Sequence, residues 1–283
     1  MNHWELPLVL FTVLSQAAVG AIIFSAVLEP QIAPEHVQTR RALRVAGAVA
    51  FPVLLIALLA SVIHLGQPLA AYRALRNFGD SWLSREIWFF GITTVVSAIY
   101  SYLCYQNQNK EARMAFGYLA GFMGLLGVWA SAMVYTLPAR AMWSPILNTA
   151  AFIGTTALLG GLVVAVYNRS YAAGEDELVA RVSGWAVVVG ALLTVLSVAG
   201  TAFRGAADPA VMQGVSLMVT SWLFWVQLAL GLILPVAVAA ALVMRAREVS
   251  ARYVALGLGF ALAGELAGRI IFYASALSPS LWG

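Results

Sequence analysis

The sequence predicts an all-α integral membrane protein, a bundle of about eight transmembrane helices with both termini on the outer side of the membrane. Two observations carry the fold class. Hydrophobic residues make up 62% of the chain and charged residues only 10%, a balance far from that of soluble domains. Apolar runs of about 20 residues, enough to cross the hydrocarbon core as a helix, recur from one end to the other. A third observation, the distribution of arginine, sets the orientation. The connections are short, so residues 1–283 read as a single eight-helix transmembrane domain, and any chemistry falls within the bundle, at its faces or on a partner.

The first span, 4–28, lacks a basic leading region, has too long an apolar run for a secretory signal and shows no small-residue cleavage site before Glu29 and Pro30, so a retained helix is expected. It carries Gln16, which either hydrogen-bonds a neighbouring helix or lines a polar site. The second span, 42–64, closes on His64, and the third, 84–106, opens with Ser84 and Glu86. The fourth and fifth, 112–136 and 146–167, flank MVYTLPARAMWSPILN, residues 133–148, with Tyr135, Arg140 and Trp143 at one interface. For Tyr135 and Trp143 an aromatic belt is the favoured role. GFMGLLG at 121–127 and LLGGL at 158–162 read as helix-packing surfaces. The sixth and seventh spans are 178–203 and 217–244, and the eighth, 252–277, contains GELAGRIIFY at 264–273. Glu265 and Arg269 lie four residues apart in the order that helix pairs prefer. A buried structural ion pair is expected there, with a pocket wall as the alternative.

The first, third, fifth and seventh connections hold Arg40, Arg41, Arg44, Lys110, Arg113, Arg169, Arg181, Arg245, Arg247 and Arg252. The others hold Arg73, Arg76, Arg85, Arg140 and Arg204. Ten against five places the odd connections in the cytoplasm and both termini outside. The net charge of +4 is mostly this arginine, so membrane orientation explains it and nucleic acid is not expected as a partner.

The residue inventory narrows the chemistry. A membrane b-type haem needs facing histidines, and the chain has only His3, His36 and His64, of which His64 alone lies at membrane depth. Cys104 is the single cysteine, which leaves no thiolate set for an iron–sulfur cluster and reads as a small core hydrophobe. No phosphate-binding or dinucleotide fingerprint is present. Haem, iron–sulfur cluster and metal are therefore not expected in this chain. The ligand is expected to be organic, small or a protein.

The stretch HLGQPLAAYRALRNFGDSWLSREI, residues 64–87, gathers His64, Arg73, Arg76, Arg85 and Glu86 at the ends of two membrane helices. Ionisable groups are costly at that depth. An imidazole exchanges protons near neutral pH and a carboxylate accepts them, so His64 and Glu86 suit proton-coupled chemistry if they share a pocket. The alternative is that His64 caps helix-end carbonyls while Glu86 sits in the first helical turn after Ser84.

The pattern His64-Leu65-Gly66, Pro68, Ala71 and Leu75-Arg76-Asn77, followed by Ser81, Leu83-Ser84 and Glu86-Ile87, resembles the DmsC family of membrane anchors. These are the quinone-reactive subunits of dimethyl sulfoxide reductase-type complexes of anaerobic respiration. The opening WELPLVLFTVLSQAAVG and the closing AGELAGRIIFY are similar to that family too, so the resemblance spans the chain. It implies a multi-pass anchor domain in the bacterial cytoplasmic (inner) membrane with periplasmic termini. It also implies two partners, a molybdopterin catalytic subunit and a four-cluster iron–sulfur subunit, which carry those cofactors. His64 and Glu86 match the residues that the family associates with menaquinol binding and oxidation. Arg85 stands where some relatives have a neutral residue.

On that reading the chain performs a quinol or quinone half-reaction and no complete catalysis alone. His64 and Glu86 handle protons, and Gln16, Tyr135 and Arg73 are further candidates for the pocket, which takes menaquinone or ubiquinone. Arg73, Arg76, Asn77 and Arg140 are assigned to partner docking, because charged loops orient interfaces. Related sulfite-oxidising enzymes would run the same pocket in reverse. A proton-coupled transporter using Glu86, Glu265 and Arg269, or a purely structural tether, are the competing readings. Transporters commonly show inverted halves, whereas Pro52 and Pro235 do not occupy equivalent settings.

Overall fold

The computed structural model describes residues 6–63, 68–107, 109–136, 140–172 and 177–275. Among them eight helices are long and apolar enough to cross a membrane. We label the helices α1 (Leu6–Leu28), α2 (Val37–Ile63), α3 (Trp82–Gln106), α4 (Lys110–Val134), α5 (Pro145–Tyr171), α6 (Glu177–Gly205), α7 (Pro209–Thr220), α8 (Trp222–Met244) and α9 (Ala251–Ala274). All but α7 are the spans. The chain is an all-α multi-pass membrane protein, as its composition predicts.

The expected seventh span, 217–244, is the one that differs. Asp208 caps a separate helix by accepting from Ala210 N at 2.9 Å, Pro209 follows at its first position, and the chain leaves helical geometry at Ser221 (φ −74°, ψ 131°). Hydropathy runs on across that break and hides it. Within α8, residues Gln227–Ile233 widen into a π-helical turn, and Leu234 N donates to Ala229 O, five residues back. Pro235 follows directly; a proline ring lacks an amide hydrogen and crowds the carbonyl four residues earlier, which a wider turn relieves.

Helix α1 packs against α2, α4, α5 and α9, and α5 against α1, α2, α4, α6 and α9. These two form the centre of the bundle. Their crossing is close because Gly20 faces Gly160, where a Cβ on either would fall onto the other helix's backbone. Small residues provide such contacts where lipid removes the hydrophobic drive for helix association. Gly121 and Gly124 of α4 receive Ile23 and Val19 of α1 in the same way. Outward faces carry Val95, Trp185 and Leu256, each more than half exposed in the isolated chain, as a lipid-facing surface requires.

Successive crossings alternate, so the connections α1–α2, α3–α4, α5–α6 and α8–α9 share one face. There the buried Glu29 accepts from Arg113, Oε1 from Nη2 at 2.6 Å and Oε2 from Nε at 3.2 Å, with Arg44 at 3.5 Å. Arg169 donates to Val249 O at 2.7 Å and Arg247 O at 3.0 Å. Three of the arginines counted for orientation, Arg44, Arg113 and Arg169, thus tie helices to neighbouring connections inside the protein. At the α3–α4 connection Asn107 and Asn109 are both left-handed (φ 52° and 46°), a conformation that asparagine tolerates.

Candidate functional site

The opposite face gathers the ends of α1, α3, α4, α5 and α9 that carry buried polar groups. Helix α3 starts at Trp82, with Ser81 as its cap, accepting from Ser84 N at 3.4 Å. Glu86 is therefore the fifth residue of the helix, beyond the first turn, and is 6% exposed. Its Oε1 has no hydrogen-bond partner among the described residues. The nearby Ser131 hydroxyl of α4 is equally buried. Arg85 turns away from Glu86: its guanidinium donates to Phe78 O at 2.9 Å and to Gly79 O, and stacks over Trp82 at 4.4 Å. Trp88 Nε1 donates to Leu75 O at 3.1 Å. The same helix thus carries Glu86 and pins the loop before it. His64 lies outside the described residues, as does His3.

The same buried layer holds a hydroxyl pair. Tyr135, just past α4, and Tyr273 of α9 are 2.9 Å apart through their OH groups, and both are within electrostatic range of Glu86. Tyr135 packs edge-on against Trp143 at 5.1 Å and Phe272 at 5.3 Å. It therefore belongs to the bundle's interior rather than to the aromatic belt expected for it. Trp143 likewise stacks on Phe272 and donates to Phe272 O at 3.3 Å. Asn148 of α5 fixes this corner, donating to Tyr135 O at 2.8 Å.

The spacing of Glu265 and Arg269 predicts a direct ion pair, and the structure corrects that. Glu265 Oε2 accepts from Thr155 Oγ1 at 2.7 Å, while Arg269 Nη2 donates to Gln16 Oε1 at 3.0 Å and lies 3.8 Å over the Phe152 ring. No hydrogen bond or ion-pair contact joins the two among the described residues. A helix places residues four apart one above the other, but here each side chain finds a better-placed partner on another helix, Thr155 on α5 and Gln16 on α1. Glu265 Oε1 and Gln16 Nε2 are left without partners among the described residues. The pocket-wall alternative holds for both residues: Glu265 and Arg269 line a cleft with Thr194, Ser197, Thr201 and Gln227.

A family model described as DMSO reductase anchor subunit (DmsC) matches residues 1–275. The chain belongs to the DmsC family. The anaerobic dimethyl sulfoxide reductase chain YnfH of Escherichia coli (strain K12) is 31% identical over 291 residues, 96% of this chain and 95% of that one. The C subunit of anaerobic dimethyl sulfoxide reductase from the same organism is 28% identical over 287 residues, 95% and 94% of the two sequences. The corresponding C subunit of Haemophilus influenzae is 29% identical over 164 residues, 57% of each. Membership of the DmsC family makes this chain a bacterial inner-membrane anchor within a reductase complex, associated with catalytic and electron-transfer subunits.

Of the expected site residues, the fold joins Gln16 to Arg269, puts Tyr135 within electrostatic range of Glu86 and Arg269, and sets Glu265 and Arg269 in one cleft wall. Arg73, Arg76 and Asn77 are exposed, with Arg76 5.3 Å over the Tyr72 ring, outside this buried layer. Arg140 is half-buried, and its carbonyl accepts from Trp143 N at 2.9 Å. Sequence reasoning missed Tyr273, Asn148, Thr155 and Ser131. The signal was present: single polar residues in apolar spans, all on the side that helix alternation assigns to one face.

Proposed function

We propose that this anchor exchanges electrons between a membrane quinol and an iron–sulfur partner subunit, with His64 and Glu86 handling the quinol protons. Buried Glu86, with one carboxylate oxygen lacking a partner among the described residues, is the observation that carries the reading. A buried acceptor without a donor is costly, and a quinol hydroxyl supplies that donor. Gln16 Nε2, a buried donor in the same state, suits a ring oxygen.

Quinol is the substrate here. Its oxidation releases two electrons and two protons. The electrons pass to the partner, a four-cluster iron–sulfur subunit, and onward to a molybdopterin catalytic subunit. The protons go to protein bases, since proton transfer to a positioned side chain accelerates such steps about 10²–10⁴-fold. Glu86 takes one from a hydroxyl and the Tyr135–Tyr273 pair stands ready to relay it. His64, the residue that follows α2 in the sequence, takes the other. The exposed Arg73, Arg76 and Asn77 present a polar surface on the same face for the iron–sulfur partner. Electron flow from quinol to partner is favoured by the relatives, which are chains of dimethyl sulfoxide reductases.

The test compares His64→Ala and Glu86→Gln with wild type in membranes holding the assembled complex, using a fluorescent quinol-analogue inhibitor and quinol-driven turnover. Loss of tight inhibitor binding in His64→Ala and a roughly hundredfold slower turnover with an altered pH profile in Glu86→Gln are expected, with viologen-driven turnover retained. Wild-type binding and turnover in both would leave a structural tether as the better description.

A further inference from the structure

The proposed quinone chemistry uses Glu86 and leaves a second buried carboxylate, Glu265, unexplained. Glu265 is 3% exposed and lies nine residues before Ala274, about 14 Å inside the end of α9 at 1.5 Å per residue. Thr155 satisfies Oε2, and Oε1 has no partner among the described residues. Glu265 also forms part of the wall of a half-enclosed cavity of about 90 Å³, room for roughly three waters at about 30 Å³ each.

The lining of that cavity is polar in a particular way. Thr194, Ser197 and Thr201 stand on one face of α6 at helical spacing, forming a ladder about 10 Å long. Their hydroxyl hydrogens are already donated, Thr194 to Gly190 O at 3.1 Å, Ser197 to Leu147 O at 2.8 Å and Thr201 to Ser197 O at 2.9 Å. What they present to the cavity is therefore acceptor capacity, which water, a double donor, matches. Gln227, Asn148 and Arg269 complete the polar lining. Met142 and Ser275 also line it, and Arg204 holds the 141–142 backbone through Ala141 O at 3.0 Å.

The cavity also touches the layer that contains Glu86. Asn148 lines it while bonding Tyr135 O, and Trp143 and Phe272 of its wall pack on Tyr135. The charged and titratable groups facing this region are Arg269 and Tyr273 on α9, Tyr135 after α4 and Glu86 on α3. The polar groups that α5, α6 and α8 contribute to the cavity are neutral, and Arg204 of α6 bonds the neighbouring Ala141 carbonyl.

We infer that the cleft between α5, α6, α8 and α9 is a hydrated proton port in which Glu265 exchanges protons between the Tyr135–Tyr273 layer and water on the face where α1 begins and α9 ends. The source of the proton, Glu86, rests on the proposed quinone reading. A proton leaving Glu86 passes the tyrosine hydroxyl pair. Glu265 carboxylate binds it and returns it to water in the cleft, ending in its starting form. The electrons take no part in this step.

Two measurements test the port, both in membranes holding the assembled complex. In a background where Cys104, the one cysteine of the sequence, is replaced by Ala, Thr201→Cys, Ser197→Cys and Thr194→Cys are exposed to a water-soluble methanethiosulfonate. Labelling at least tenfold faster than at the lipid-facing control Leu196→Cys is expected at all three. Rates no faster than the control would mean a dry cleft and overturn the inference. The second measurement is Glu265→Gln, which keeps shape and the acceptor for Thr155. Quinol-driven turnover, normalised to viologen-driven turnover, is expected to fall at least tenfold with a changed pH profile and to recover in part in Glu265→Asp. Wild-type turnover and profile in assembled Glu265→Gln would equally overturn it. Thiol labelling needs no quinol, so a dry cleft and a misplaced quinone site, which shows itself through His64 and Glu86, are separate failures.

Discussion

Arg269 joins the last helix to the first, and the strength of that join can be measured. The side chain is 5% exposed. Its hydrogen bond to Gln16 at 3.0 Å involves a charged donor, worth about 1.5–3 kcal/mol. Its seat 3.8 Å over Phe152 is a desolvated cation–π contact, worth about 2 kcal/mol. Arg269→Met removes both while keeping much of the volume. It is expected to cost about 3–5 kcal/mol, the range for removing one member of a buried charged network. Gln16→Leu removes the hydrogen bond alone. In the double variant that bond is already absent, so a coupling energy of about 1–2 kcal/mol is expected between the two sites. The assay is the thermal inactivation rate of the purified complex at one temperature, where about 1.4 kcal/mol corresponds to a factor of ten in rate. A coupling within about 0.5 kcal/mol of zero, the range of independent sites, would refute the α1–α9 join and return Arg269 to its own helix.

Glu29→Ala leaves the Arg113 and Arg44 guanidiniums, with side chains only 5% and 14% exposed, without the carboxylate between them. A loss of about 3–5 kcal/mol is expected, seen as faster thermal inactivation and a lower yield of membrane-inserted chain; wild-type stability would refute the cluster's structural role. Gly160→Val places side-chain atoms on the Gly20 backbone and should cost more than the roughly 1–3 kcal/mol of ordinary overpacking, abolishing accumulation of the folded chain. Gly259→Ala, where a Cβ meets nothing within 4 Å, is the matched control and should accumulate normally.

The eight spans were legible because length and hydropathy are nearly sufficient to define a membrane helix. Glycine-rich stretches were legible as packing surfaces, and Gly160 and Gly124 do meet other helices there. Partner choice was not legible. The Glu265–Arg269 spacing is right for a pair, yet a side chain selects among all neighbours in three dimensions, and Thr155 and Gln16 come from helices more than a hundred residues away in sequence. The belt assignment of Tyr135 failed for a related reason: an aromatic residue at an interface looks alike from sequence whether it points to lipid or inward. The break at Ser221 was hidden because both sides of it are apolar.

Three glutamates are buried among the described residues, and they are not equivalent. Glu29 has both oxygens engaged by arginine, as a carboxylate must when its role is to hold helices together. Glu86 and Glu265 each have one oxygen without a partner among the described residues. Leaving a buried acceptor unmatched sacrifices stability that a leucine would have kept, and such groups are tolerated where something outside the resting fold completes them. The satisfied carboxylate lies at the face where α1 ends and α2 begins, and both unsatisfied ones lie toward the opposite face. That separation of complete from incomplete polar clusters is what the proposed quinol site and proton port require of the end of the bundle opposite Glu29.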